Sequence, residues 1–393
     1  MAELCVDQIR SFRLRNHHLD AVYKSTDMEM LAGACGMLNT PPGAWETAMY
    51  NRAPECGLAD MEQHLYGDKT LLQAWSLRGV PALFPVPLSP VFLSALVPVG
   101  DEPWIYTHGM AGAMDFLKMD SNTLLETLKQ VMTRLDDTTI VSKVTLDKTL
   151  AEWMLPLLPA DKRDLWNQPS MYGSPDKQTV GGAVVSFLLR PCAFSGLVVF
   201  GKRSGISPTF TSYKNWTGQM LKADENASKQ LVRSYLHCYG PSNVDGFVNW
   251  LGCSGKQGRR LWNMVSEEME PVTLAGKKSF ILSDDREMLF SPPSFDREII
   301  LLGGHDPYLD QRDRAVLQPD PTLQKQIWRL VANPGAVVYR GEVAGIWTSK
   351  KKGKGMEIQM KLWKEIHRRQ GLLELAEEYA GFRQQKLVGI DLQ

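Results

Sequence analysis

Residues 243–282 constrain the fold of this 393-residue chain more than any other segment does. The run NVDGFVNWL at 243–251 has apolar side chains at helical spacing, and a three-residue turn, Gly252 to Ser254, follows it. Ser254 is a typical helix N-cap, and Gln257 three positions later predicts a capping box in a second helix. A hairpin is then predicted, with strands at 270–274 and 278–282 and a turn at Ala275 and Gly276. This order of elements is that of a winged helix-turn-helix.

The second helix of this motif carries an apolar stripe and a cationic first half. The stripe is predicted to consist of Leu261, Trp262, Val265 and Met269. Lys256, Arg259 and Arg260 fall in the first turns of the same helix. A helix presented in this way can enter a DNA groove, so the sequence predicts a nucleic-acid partner and three DNA-contacting cations. A purely structural role for this helix within a tandem array is the alternative.

A second helix followed by a hairpin precedes this motif. The helix is predicted from the spacing of Val180, Val184, Phe187 and Leu188. We expect Arg190 and Pro191 to break it, because proline disrupts a helix interior. The hairpin is predicted over residues 196–213, and its turn contains Lys202 and Arg203 as further candidate DNA contacts. The recurrence predicts tandem winged-helix units.

The last hundred residues have a different pattern. Residues 283–296 are predicted to form a linker, and four strand-like runs follow, at 298–304, 335–341, 343–349 and 356–363. A helix from Leu372 to Gln385 is expected to close the chain. The predicted fold class is therefore α+β, with tandem winged helix-turn-helix domains, three in number, before a C-terminal antiparallel β-domain. The expected domain boundaries are 1–100, 101–220, 221–290 and 291–393.

Charge is segregated along the chain although the formal net charge is zero. Residues 201–262 contain nine basic and three acidic residues, and residues 350–369 contain eight and two. The second stretch begins at a predicted hairpin tip with Lys350, Lys351, Lys352 and Lys354. Such a tip can bind phosphates, or it can keep a sheet edge soluble. The two basic stretches together favour a DNA-binding groove.

Several classes of protein are excluded by what the sequence lacks. The six cysteines show neither CxxC pairs nor disulfide-like spacing, which predicts a reducing, cytoplasmic environment. The most apolar stretch, 181–200, is interrupted by Arg190 and Pro191, so no membrane span is expected. His17 and His18 point about 100° apart on a helix and rarely share one metal. We expect no metal at these histidines or elsewhere in the chain. We also expect no cofactor, and we expect the chain to be a monomer.

Several segments match motifs of a known protein family. The most specific match contains a YGP sequence followed by WLG, and it extends from LVRSYLHCYGP to EMEPV at 231–272. The others are HDPYLDQRDRAVL at 305–317, GEVAGIW at 341–347, WSLRG at 75–79 and RLRNHHL at 13–19. Together these segments resemble the bacterial AlkZ/YcaQ-like family of winged-helix DNA-binding proteins. The resemblance implies three tandem winged helices, a C-terminal β-domain and double-stranded, damaged DNA as the partner. It also makes Asp306, Tyr308, Arg312 and Arg314 parts of a structural, DNA-facing loop.

The family's catalytic motif is altered in this chain. Characterised members are DNA glycosylases that cut the N-glycosidic bond of alkylated bases, with a Gln-x-Gln or Gln-x-Asp motif. At the matching positions stand Leu38, Asn39 and Thr40. Leucine can neither hold nor activate a water molecule. The family's RGT-x-H pattern is also replaced, by Arg78 to Ala82, so its histidine is missing.

If the chain is an enzyme, its catalytic groups must come from nearby. The candidates are Asn39, Thr40 and Glu46, since an amide, a hydroxyl or a carboxylate can position or activate water. The structural alternatives are turn residues before Pro41 and Pro42 for the first two, and a first-turn helix carboxylate for Glu46. Two hypotheses remain: a DNA glycosylase of the alkylation-repair type, or a non-catalytic winged-helix DNA-binding or regulatory protein.

Overall fold

The computed structural model describes residues 4–172, 178–274, 276–310 and 312–393. Ala275 of the predicted hairpin turn and Gln311 of the 305–317 segment lie outside these ranges. The helices are α1 (Val6–Asn16), α2 (Met28–Gly33), α3 (Ala44–Arg52), α4 (Leu58–Glu62), α5 (Ser89–Phe92), α6 (Ala111–Leu117), α7 (Ser121–Met132), α8 (Lys143–Met154), α9 (Ala160–Trp166), α10 (Val180–Phe194), α11 (Tyr213–Thr217), α12 (Ala227–Tyr239), α13 (Val244–Leu251), α14 (Gly255–Asn263), α15 (Arg286–Phe290), α16 (Pro321–Ile327) and α17 (Arg369–Phe382).

Within the described residues the strands form four sheets. They are β1 (Met37–Leu38), β2 (Leu71–Trp75), β3 (Pro81–Pro85), β4 (Ile140–Val141), β5 (Val199–Ser204), β6 (Ser207–Thr211), β7 (Met269–Leu274), β8 (Lys277–Leu282), β9 (Ile299–Leu302), β10 (Gly335–Tyr339), β11 (Glu342–Lys352), β12 (Gly355–Leu362) and β13 (Lys386–Leu392). Their orders are β1-β3-β2, β4-β6-β5, β7-β8 and β13-β12-β11-β10-β9.

The helix-turn-helix of the third motif has the predicted elements. Helix α13 ends at Gly252, whose φ of 75° is left-handed and whose Cα lies too close to Arg78 for a side chain. Ser254 caps α14 by accepting the backbone N–H of Gln257. The predicted capping box is wrong in its second half, because the Gln257 side chain is buried and donates to the Leu96 carbonyl. The helix also ends earlier than predicted, so Val265 and Met269 lie beyond it.

The preceding unit repeats the order of helix and hairpin, with one correction. Helix α10 continues through Pro191 to Phe194, so the predicted break at this position is wrong. Proline removes one backbone hydrogen bond, and here it does so in the last turn, three residues before the helix ends. Strands β5 and β6 form the predicted hairpin, and β6 also pairs with β4.

The C-terminal sheet is antiparallel except at one edge. Strands β9 to β12 pair antiparallel, but β13 lies parallel to β12. The prediction of a wholly antiparallel β-domain closed by a helix is therefore wrong. Helix α17 connects the two parallel strands, as a parallel pair needs a crossover connection. The predicted linker is also partly helical, since it contains α15 with Leu289 buried.

The N-terminal segment and the C-terminal sheet share one hydrophobic core. This core combines residues of α3, β2 and β3 with residues of β10, β11 and α17, among them Met49, Leu71, Leu83, Val337, Trp347 and Tyr379. The two ends of the chain are therefore packed together. As a result, the turn between β1 and α3, which contains the altered motif, faces the C-terminal sheet.

Candidate active site and nucleic-acid interface

The turn at 39–43 is held by the Asn39 side chain. Its backbone N–H continues the sheet by donating to the Pro81 carbonyl at 2.8 Å, and its amide oxygen accepts the Gly43 N–H at 2.7 Å. Asn39 is only 3% exposed, whereas Thr40 is exposed. The amide therefore fixes the turn, and the threonine hydroxyl is the polar group that the turn presents to solvent.

Glu46 lies next to this turn and is paired with the end of α17. Its carboxylate accepts a hydrogen bond from the Arg383 guanidinium at 2.8 Å, in a partly buried ion pair. The carboxylate also borders Gly43, where an added Cβ would lie 3.4 Å from Glu46 Oε2. The structure thus brings the three predicted catalytic residues, Asn39, Thr40 and Glu46, to one turn and its adjoining helix.

A pocket of about 350 Å³ opens beside the turn. Its walls come from the turn, the residues after β9 and the C-terminal sheet, and they include Pro41, Pro42, Gly43, His305, Ser349 and Arg383. The turn contributes Pro41, Pro42 and Gly43 to the wall, whereas Asn39, Thr40 and Glu46 do not line the pocket, and the polar lining comes from other segments, with His305 and Arg383 among it. Leu38 lies on β1, paired with Ala82, and the family's glutamine is replaced there by an apolar side chain.

His305 is a site residue that sequence reasoning did not select. Burial, together with the nearby Arg78 guanidinium, lowers the pKa of this imidazole below its ordinary value of 6.5, against the opposing effect of Asp310. The side chain is therefore neutral at neutral pH and can accept a proton. The signal that could have identified it is its place directly before Asp306 in the 305–317 match.

The loop that carries His305 is anchored by two ion pairs. Asp306 is completely buried and binds the buried Arg52 of α3 through two hydrogen bonds of 2.9 and 3.0 Å. Asp310 pairs with Arg78 at 2.6 Å, and the same guanidinium donates to the Trp250 carbonyl. These contacts join the pocket, the N-terminal helices and the third helix-turn-helix.

Two of the three predicted cations on α14 form ion pairs with another part of the chain, and the pair of Lys256 is exposed on the surface. Lys256 pairs with Asp101, and Arg260 forms two 2.8 Å hydrogen bonds with the buried carboxylate of Glu102. Both partners precede α6 and are distant along the chain. Arg259 is exposed and has no ion pair within the described parts of the chain. The first turns of α14 therefore contact the segment before α6 through Lys256 and Arg260.

Arg312 and Arg314 line a groove of about 600 Å³ beside the helix-turn-helix. Its floor contains the aromatic side chains Tyr235, Tyr239 and Trp250. Arg312 is exposed, while the Arg314 guanidinium stacks on Trp328 with 4.7 Å to the ring centre. Acidic side chains also line this groove, so its charge is mixed.

The remaining predicted cations lie at two hairpin tips. Lys202 is exposed and Arg203 partly exposed at the end of β5. Lys350, Lys351, Lys352 and Lys354 are all exposed at the turn between β11 and β12. Lys352 is paired with Glu357 at 2.6 Å, which leaves the other three at this tip without an ion pair among the residues described. The structure therefore distributes the predicted DNA contacts over several elements.

The comparison with known proteins assigns the fold to a family. A family model described as DNA glycosylase AlkZ-like matches residues 31–382. The chain belongs to the AlkZ-like DNA glycosylase family. This AlkZ-like chain is 25% identical, over 358 residues and 86% of each chain, to an interstrand DNA cross-link repair glycosylase of Streptomyces sahachiroi. It also shares the fold of the Streptomyces sahachiroi DNA glycosylase AlkZ, with a TM-score of 0.73, 21% identity and coverage of 98% and 99% of the two chains.

These findings confirm the predicted family and the partnership with DNA that the family implies. They also support a mixed α and β fold with antiparallel sheets, while the number of winged-helix domains stays a prediction. Among the described residues of the AlkZ-like chain, we find no helix with the length and apolarity that crossing a membrane requires.

Proposed function

We propose that this chain is a DNA glycosylase that hydrolyses the N-glycosidic bond of alkylated bases in duplex DNA. The observation that carries the proposal is the pocket bordered by Pro41, Pro42 and Gly43, directly after the position of the family's catalytic motif. His305 and Arg383 line this pocket, Glu46 is paired with Arg383, and Thr40 directly precedes the lining residues Pro41 and Pro42. Glu46, His305 and Thr40 supply the groups that this hydrolysis needs although the motif's glutamines are absent.

The chemistry assigns one role to each group. In the reaction the C1′–N bond breaks with its electron pair leaving on the base, and an oxygen of water bonds to C1′. The Glu46 carboxylate, held by Arg383, stabilises the positive charge that develops on the sugar. His305 accepts the proton of the attacking water, because its imidazole is neutral. Thr40 orients that water from the exposed side of the turn.

DNA is held, in this proposal, by exposed cations of a single copy of the chain. The contacts come from the two hairpin tips and from Arg259 and Arg312, since these side chains are exposed. Three tandem winged-helix units, at 1–100, 101–220 and 221–290, and the β-domain at 291–393 build the surrounding surface. A damaged base is the expected substrate because its weakened pairing lowers the energy of extruding it from the stack.

An abasic-site assay tests the activity. We expect the full chain to release bases from duplex DNA treated with a methylating agent, measured as strand breaks after alkali. Undamaged duplex of the same sequence is the control and should remain intact. The proposal fails if neither monoalkylated nor cross-linked DNA yields abasic sites while the same preparation still binds duplex.

A non-catalytic DNA-binding protein is the second candidate. Two observations favour it: the Asn39 amide is used to hold its own turn, and Leu38 replaces a polar residue of the motif. In that case the salt-sensitive binding to DNA should persist with no release of bases from any alkylated substrate.

The lysines at the β11–β12 tip give a prediction about affinity. Replacing Lys350, Lys351 and Lys354 by alanine should reduce the slope of log K against log salt by about 3, because each phosphate contact releases about one counterion. Fluorescence anisotropy of labelled duplex DNA over a range of salt concentrations measures this slope. A matched triple replacement of lysines in the acidic stretch, Lys118, Lys129 and Lys148, should leave it unchanged. An equal decrease of the slope in both variants would show that the β11–β12 tip does not contact DNA.

A further inference from the structure

Three metal-ligating side chains that are distant in sequence meet in the protein interior. In the sequence His17 stands beside His18, but the fold places it against Cys35 and Cys238. His17 follows α1, Cys35 lies between α2 and β1, and Cys238 belongs to the last turn of α12. Their ligand atoms all lie within 4.8 Å of one another, and all three residues are buried. We infer that they form a zinc-binding site.

The histidine is the part of this cluster that most clearly needs a ligand. His17 is 1% exposed, and its Nε2 has no hydrogen-bond partner within the described residues. Its Nδ1 has only a weak contact of 3.8 Å with the Cys35 sulfur. Leaving a buried polar group without a partner is unfavourable, because the group loses its hydrogen bonds to water and gains none in the protein. A metal ion bound through Nε2 would remove this deficit, whereas an ion bound through Nδ1 would replace the weak contact with Cys35.

The donor set and the charge both fit zinc. Two cysteine sulfurs and one imidazole are ligands that Zn²⁺ prefers, at about 2.0–2.3 Å. Two thiolates and a neutral imidazole also cancel the charge of a divalent ion, so the buried unit is neutral overall. The neighbouring Arg52 is itself neutralised by Asp306. Binding replaces weak contacts of both thiols: Cys238 with the Asn16 and Ala34 carbonyls at 3.6 and 3.5 Å, and Cys35 with the Tyr239 hydroxyl and the Gly36 carbonyl at 3.7 and 3.8 Å.

The position of the site implies a structural role. The zinc ion would join α1, the segment that enters β1 and α12, and α1 and α12 are also linked by hydrogen bonds from Arg13 to the Gly240 carbonyl and from Asn16 to the His237 carbonyl. Cys35 lies only a few residues before the turn at 39–43, so the ion would fix the path of the chain into the pocket. This inference does not depend on the proposed glycosylase activity, since a non-catalytic DNA-binding protein would have the same site.

Metal analysis of the purified full chain tests the inference. We expect about one zinc ion per chain by inductively coupled plasma mass spectrometry after purification without chelators or a histidine tag. The variants Cys35→Ser, Cys238→Ser and His17→Ala should lose it. Cys192→Ser, which alters a buried cysteine outside the cluster, is the matched control and should keep it.

A second measurement covers the case in which the variants fail to fold. The wild-type chain grown with cobalt should show a thiolate-to-cobalt charge-transfer band, and blocking its thiols with a mercurial should release the metal to a colorimetric chelator. The inference is overturned if zinc is below about 0.1 per chain and no cobalt band forms. Copper in place of zinc, or a disulfide between Cys35 and Cys238 detected by mass spectrometry, would also overturn it.

Discussion

The variant Asp306→Ala should lower the free energy of unfolding by about 3–5 kcal/mol, because it leaves the charge of Arg52 buried and unpaired. Neither side chain of this pair has appreciable access to water. Arg52 also donates to the His17 and Ala48 carbonyls, both at 2.7 Å, so its guanidinium is fixed in place and cannot turn towards solvent. Asp306 in turn accepts the Tyr308 backbone N–H at 3.0 Å, and this bond would be lost as well.

Urea denaturation followed by circular dichroism measures this effect. Asp115→Ala is the matched control, since it removes an aspartate whose ion pair with Lys118 is exposed and should cost less than about 1 kcal/mol. The double variant Arg52→Met, Asp306→Leu should recover much of the loss, because it removes both charges together. An Asp306→Ala protein as stable as the control would contradict the assigned burial of the pair.

The variant Glu46→Gln should reduce the rate of base release from alkylated DNA by about 100-fold or more, the usual contribution of a positioned catalytic group. Glutamine keeps the size of the side chain and can still accept a hydrogen bond from Arg383. It loses the negative charge that the developing sugar cation requires. Single-turnover kinetics on a duplex with one alkylated base give the rate, and anisotropy gives the affinity, which should change little.

Glu62→Gln is the control for this experiment, because it neutralises an exposed carboxylate on α4 away from the pocket. An equal decrease in both variants, or no decrease in either, would remove Glu46 from the mechanism.

Burial lowers the pKa of His305 below 6.5, so its neutral form persists under mildly acidic conditions. The rate should therefore stay level as the pH falls through 6.5 and decline only below it, and His305→Gln should abolish this dependence.

The sequence by itself determined the elements whose stability is local. Ser254 caps α14, Asn243 caps α13, and Gly252 supplies the left-handed turn between them, so a few neighbouring residues suffice to predict the helix-turn-helix. Strands β9 to β12 follow from their apolar runs in the same way. Such short segments also identified the family match. That match located the candidate active site at the turn that contains Thr40.

Only the tertiary structure decided which side chains meet across long separations. Arg260 and Glu102 are 158 positions apart, and their pairing engages a predicted DNA-contacting side chain in an ion pair within the protein. Arg52 and Asp306, 254 positions apart, place His305 beside the turn. Tertiary packing also decides that β13 pairs parallel to β12 and that His17, Cys35 and Cys238 meet in one cluster. Such contacts depend on how the helices and sheets pack against one another, and residue spacing records only the periodicity within each element.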